Sequence, residues 1–86
     1  MSLKRVAVIS AILERPEDTQ NTFNAIVSSY KDMVKGRMGL PLIEEGISVI
    51  SITVVGEIND INSLNGKLGK LPNTQVKTSI SKKEID

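Results

Sequence analysis

Cysteine, histidine and tryptophan are all absent from this chain of 86 residues. Without cysteine there is no disulfide framework, no thiolate nucleophile and no zinc–thiolate site. Without histidine the commonest general base and the commonest transition-metal ligand are gone as well. No metal, no cofactor and no catalytic residue are therefore expected. Aromatic residues are nearly missing: one Phe and one Tyr leave little surface on which bases could stack, which argues against nucleic-acid binding. Charge of one sign is also lacking. The formal net charge of +1 gives no field strong enough to draw DNA or an anionic membrane.

Long apolar runs are absent too. "VAVISAIL" (Val6 to Leu13) follows the basic "MSLKR" much as the core of a secretory leader would. It is short and rich in β-branched residues, and it runs into Glu14-Arg15-Pro16-Glu17 rather than a small-residue cleavage site, so it reads as a strand. Nothing approaches the ~20 apolar residues of a membrane-spanning helix. The expectation is a cytoplasmic protein with no membrane association.

What is there makes one small domain over residues 1–86. Lys4–Leu13 is apolar on both faces, with Val6, Val8 and Ile12 on one and Ala7, Ile9, Ala11 and Leu13 on the other, as in a central strand. Pro16, Glu17 and Asp18 open a helix, and Phe23, Ile26, Val27 and Tyr30 form its apolar stripe. Val34 to Leu40 reads as a strand interrupted by glycine. Alternation puts Val34, Gly36, Met38 and Leu40 on one face, Lys35 and Arg37 on the other. Pro41 to Gly46 is a loop. Ile47–Val55 is the strongest strand, with Ile50, Ile52 and Val54 on one face and Ile47, Val49, Ser51, Thr53 and Val55 on the other. Asp60 suits the N-cap of a second helix that turns Ile61, Leu64 and Leu68 inward, Gly69 suits its C′ position, and Pro72 suits a stop. Thr74–Ile80 alternates like an edge strand, and the charged residues 81–86 are expected to fray.

The order β-α-β-β-α-β points to an α+β fold, the ferredoxin-like sandwich: a four-stranded antiparallel sheet with two helices on one face. Both central strands are apolar on both sides, yet the helices can cover only one. A chain of this length buries only about 60–65% of its unfolded surface. A second copy is thus expected over the free face, as a homodimer or a dimer of dimers, through Met38, Ile47, Val49, Ser51 and Thr53.

Two readings are open for Lys35, Gly36, Arg37 and Gly39. They could form an anion site, with cationic side chains beside glycines that admit a ligand to the backbone. They could equally be an edge strand guarded by basic residues, with glycines at a bulge. Asn65-Gly66-Lys67-Leu68-Gly69 lacks the spacing of a phosphate loop, and mid-helix Gly66 points to close packing against the sheet or a partner subunit. The Glu44-Glu45 pair and the Glu57/Asp60 pair read as solvated loop charges rather than a cation site or a catalytic pair.

The stretches "VKGRMGLP" (Val34 to Pro41), "GISVIS" (Gly46 to Ser51) and "LNGKLGKLP" (Leu64 to Pro72), followed by Val76-Lys77, resemble the iron-only hydrogenase system regulators, with Lys35 as a one-residue insertion. The resemblance spans nearly the whole chain. It implies a fold similar to ACT domains and to the C-terminal domain of the nickel-responsive regulator, and a regulatory role without a mechanism. The nickel regulator's histidine and cysteine ligands have no counterparts here. With the first strand starting at Lys4 or Arg5, neither a ribbon-helix-helix module nor its DNA binding is expected. In ACT-like domains effectors bind at the turn after the first strand, which adds Arg15 to the candidate ligand-binding residues. Acylphosphatases share the topology, and Arg15 stands near their phosphate-binding arginine, but their glycine-rich loop is missing and Asn59 falls outside a strand. The expected function is a non-catalytic regulatory or ligand-sensing oligomer with a small-molecule effector. The alternative is a purely structural interaction module, and an acylphosphatase-like enzyme stands behind both.

Overall fold

The computed structural model describes residues 3–85. Its elements are β1 (Arg5–Leu13), α1 (Pro16–Ser28), β2 (Val34–Leu42), a 3₁₀ turn (Ile43–Glu45), β3 (Ile47–Gly56), α2 (Ile58–Gly69) and β4 (Thr74–Ile80). The sheet is antiparallel in the order β2-β3-β1-β4, and the fold is the expected ferredoxin-like one. In β1 and β3 the period of two divides the side chains as the sequence predicts. Ala7, Ile9, Ala11, Leu13, Ile50, Ile52 and Val54 are buried under the helices. Phe23 and Val27 of α1 and Ile61, Leu64 and Leu68 of α2 complete the core.

Pro16 starts α1 with its fixed φ, and Glu17 and Asp18 place negative charge in the first turn. The end of α1 is held by Ser29, whose hydroxyl donates to the Ile26 carbonyl at 2.6 Å. A turn through Tyr30 and Met33 then returns the chain to the sheet edge.

Four local expectations are corrected. The N-cap of the second helix lies three residues before Asp60, at Glu57, which is in extended backbone and makes no side-chain cap. It ends with Gly69 inside the helix and right-handed Lys70 as the cap, and the left-handed residue of this connection is Asn73 (φ 55°). Gly66 is not packed closely against the sheet, because a β-carbon there would meet nothing within 4 Å in its own chain. Residues 81–85 do not splay from the body. The Ser81 N–H donates to the Val6 carbonyl at 2.8 Å, Lys4 and Ile85 exchange both backbone hydrogen bonds, and Arg5 meets Glu84 at 3.6 Å. Asp86, the last residue of the expected frayed tail, lies outside the described residues.

The fifth correction concerns β2. Lys35 is an extra residue: Val34 pairs with Val54 and Gly36 with Thr53, leaving Lys35 in a bulge. Paired residues of an antiparallel ladder lie on the same face. Val34 therefore shares the helix-covered face with Arg37, Gly39 and Pro41, while Gly36, Met38, Leu40 and Leu42 share the open face. Simple alternation from Val34 fails because the bulge resets the phase.

Candidate functional site

The two helices do not spread over the whole sheet. α1 packs on β1 and α2, and α2 on β1, β3 and β4. β2, at the edge, is exposed along nearly its full length. The helix side of β2 and the neighbouring flank of α1 therefore become two walls of a groove of about 720 Å³. Glu17, Gln20 and Asn21 line it from α1; Arg37, Gly39 and Pro41 line it from β2. Ser48 and Ile50 of β3 lie at its base, and Ile43 and Gly46 of the 3₁₀ turn close one end.

Arg37 is fixed at the other end. Its Nη2 donates to Asn24 Oδ1 at 2.6 Å, and its guanidinium carbon lies 5.7 Å from the centroid of the buried Phe23 ring. The first contact orients the planar group, and the second is a cation–π contact against a rigid ring. A guanidinium has five N–H donors, so the hydrogen bond to Asn24 leaves others for a ligand. Among the described residues no carboxylate comes within ion-pairing distance of Arg37. A smaller cleft of about 280 Å³, between Asn24, Val27, Lys31 and Val34, flanks Arg37 on its other side.

Of the five residues singled out in the sequence as ligand candidates, the fold brings Arg37 and Gly39 into this groove. The other three lie apart from it. Arg15 closes an exposed ion pair with Asp18 at 3.6 Å, Lys35 occupies the bulge, and Gly36 faces the opposite side of the sheet beside Thr53. The interface candidates Met38, Ile47, Val49, Ser51 and Thr53 do share one surface, the open face, together with Val6, Val8 and Ile12. Pro16 and Glu17, from the turn after β1 where the resemblance puts effectors, line the groove, whereas the sequence did not point to Gln20, Asn21 and Ser48. Glu17, Gln20 and Asn21 stand at i, i+3 and i+4, a polar stripe beside the apolar one, which in sequence looks like any solvated helix face. Ser48 is only 7% exposed; its single buried hydroxyl in a β-branched strand was the one available cue.

A second polar cluster lies where α1 runs into the turn. The Tyr30 hydroxyl and Ser63 Oγ are 2.8 Å apart, and Lys67 Nζ stands 5.0 Å from the centroid of the Tyr30 ring. Hydrogen bonding to Lys67 first, and to Ser63 second, holds the phenol below its ordinary pKa. Among the described residues no three carboxylates converge as a cation site would require. Among the described residues no helix is long and apolar enough to cross a membrane.

Acylphosphatase-like chemistry would need Arg15 and Asn59 together. Leu13 pairs with Ser48 and Arg5 with Gly56, so Arg15 leaves one end of β1 while Asn59 follows β3 out of the other. The nine residues of β1 separate those ends by roughly 25–30 Å.

Comparison with known proteins agrees with this architecture. The uncharacterized protein TM1266 from Thermotoga maritima has a similar structure, at a TM-score of 0.87 and 26% identity over 92% of this chain and 99% of that one. The de novo designed protein Foldit4 matches at a TM-score of 0.62 and 15% identity, over 93% and 98% of the two chains, and shares the fold alone. A search of curated proteins returns no match. Residues 5–78 fit the family model "TM1266-like: Iron-only hydrogenase system regulator, putative". The chain belongs to the TM1266-like family, whose description reads putative regulator of the iron-only hydrogenase system.

Proposed function

We propose that the protein is a ligand-responsive regulatory domain of the cytoplasm that carries out no chemistry of its own and works as a homo-oligomer stacked through its open sheet faces. The regulatory part follows the description of its family. The oligomeric part rests on one observation, the character of the open face. Val6, Val8 and Ile12 of β1, Met38 and Leu40 of β2, and Ile47, Val49 and Val55 of β3 make it apolar, and Met38 is 72% exposed. No charged residue stands on this face in the paired positions of β1, β2 or β3; Lys77 on β4 is the first. A neutral surface offers nothing to a partner of opposite charge. It suits a copy of itself, because a two-fold contact repeats the same groups on both sides.

Light scattering at micromolar concentration tests this. The expected mass is that of a dimer or tetramer, and Val49→Asp should lower it. Where Val49→Asp fails to fold, Val8→Lys, at a more exposed position of the same face, should lower the mass and leave the circular dichroism unchanged. A wild-type monomer would sink the reading. Thermal melts against amino acids, nucleotides and divalent metals separate a ligand-responsive domain from a purely structural module, since a ligand that binds the folded state raises its midpoint.

A further inference from the structure

The groove between α1 and β2 carries more information than its existence. Its two ends differ in charge. Arg37, held by Asn24, stands at one end, and Glu17 lines the other. Asn24 is seven residues beyond Glu17 on one helix, so the ends lie about 10 Å apart along its axis. Over that distance the guanidinium and the carboxylate do not neutralise each other. Between them the wall of α1 is made of the carboxamides Gln20 and Asn21, and the wall of β2 is Gly39 followed by Pro41 over Ile50.

Gly39 enlarges this space. Its φ is not in the left-handed region, and a β-carbon on it would meet nothing within 4 Å. Neither backbone conformation nor sterics calls for glycine there, and sheet propensity disfavours it. What glycine leaves is open volume between Arg37 and Pro41, on the face toward α1.

We propose that this groove binds a small organic acid. Its carboxylate or phosphate group would sit on the free N–H donors of Arg37, its apolar body over Gly39, Pro41 and Ile50, and a hydrogen-bond-donating far end beside Glu17. The proposal rests on the reading that the domain is ligand-responsive and names the class of ligand. Arg37 supplies geometry as well as charge, because its planar fork is already oriented by Asn24 and Phe23 and loses little freedom on binding. Glu17 repels a second acidic group, so the acid is recognised at one end only. The amides of Gln20 and Asn21 offer both donors and acceptors along its length.

Nuclear magnetic resonance titration of the full chain tests this with hexanoate, hexyl phosphate, 6-aminohexanoate, hexylamine and inorganic phosphate. The acids should move the amide signals of Gln20, Asn21 and Gly39 saturably, and hexylamine should not. The tighter of hexanoate and hexyl phosphate identifies the headgroup. 6-Aminohexanoate should bind more tightly than hexanoate, and Glu17→Gln should remove that preference. Arg37→Ala should weaken binding by about tenfold or more, the loss of a charged hydrogen-bond donor. Gly39→Leu should abolish binding while leaving the melting temperature nearly unchanged, and Lys35→Ala should change nothing. Equal binding by Arg37→Ala, equal binding of hexylamine, or no saturable shift with any acid up to tens of millimolar would overturn the proposal. So would inorganic phosphate matching hexyl phosphate, which would deny the apolar body its part. The titration reads the groove and light scattering reads the open face, so either can fail while the other stands.

Discussion

A β-carbon on Gly56 would lie 2.5 Å from Met33 Sδ and 3.2 Å from its Cγ. The backbones are joined as well, since the Val55 N–H donates to the Met33 carbonyl at 2.8 Å. Glycine at the end of β3 lets the chain between α1 and β2 lie directly against the sheet.

Gly56→Ala should therefore destabilise the fold by about 1 kcal/mol, the low end of the cost of overpacking, because the Met33 side chain it meets can shift. Urea denaturation measures it. The obstruction is the outer part of a flexible side chain, so adding Met33→Ala should recover most of that loss. Simple additivity of the two substitutions would place the strain elsewhere.

Gly66 should behave in the opposite way. It is exposed in the middle of α2, and a β-carbon on it would meet no neighbour. Gly66→Ala should stabilise the protein by about 0.5–1 kcal/mol through helix propensity and a less flexible unfolded chain. A destabilised variant would show that this surface is covered in the assembled protein.

Tyr30 is the sole tyrosine and the chain has no tryptophan, so ultraviolet absorbance follows one phenol. Its titration midpoint should fall below the ~10 of a free phenol, because Lys67 and Ser63 favour the phenolate. Lys67→Met should move the midpoint back up. The sign for stability follows from linkage. At neutral pH the phenol is protonated in both states and contributes nothing. As pH rises, the folded protein releases the proton before the unfolded chain does, and stability is gained. The gain is complete above the unfolded value and is lost as pH falls back through the folded one. An unchanged midpoint in Lys67→Met would remove Lys67 as the cause.

Removal of residues 81–86 should cost more than loss of the ion pair between Arg5 and Glu84. That pair is partly exposed, at 3.6 Å, and Glu84→Ala should cost less than about 1 kcal/mol. Truncation after Ile80 also removes the hydrogen bonds of Ser81 and Ile85 to the start of β1. Hydrogen exchange at Lys4 should rise in the truncated chain and stay slow in Glu84→Ala.

The central strands and both helices were legible because their signals are periodic and repeated. β1 and β3 carry apolar residues on both faces, and α1 and α2 each carry one stripe, so a single misplaced residue cannot blur the pattern. The face assignment of β2 was not legible to the same degree. One extra residue inverts everything after it, and the strand offers few apolar positions to reveal the change. Cap positions in α2 misled because Asp60 and Gly69 have the right chemistry but stand inside the helix, Asp60 as its third residue and Gly69 as its last. Of the groove, Arg37 and Gly39 were legible as ligand candidates, but its other wall was not. The groove arises from where α1 comes to rest, leaving β2 bare, and that placement belongs to the packed molecule rather than to any segment.

Lys35 acts as a parity element for β2. Counted as an ordinary strand residue, it would pair with Thr53 and send Arg37 to the same side as Ser51. As a bulge it sends Arg37 to the side of Ile52 and hands Met38 and Leu40 to the other. A slip of one position along β3 would exchange the two sets, moving the guanidinium into the apolar surface and the methionine into the groove. The register of one edge strand thus governs both surfaces at once, and a change that irons out or displaces the bulge should be felt on the two sides of the sheet together.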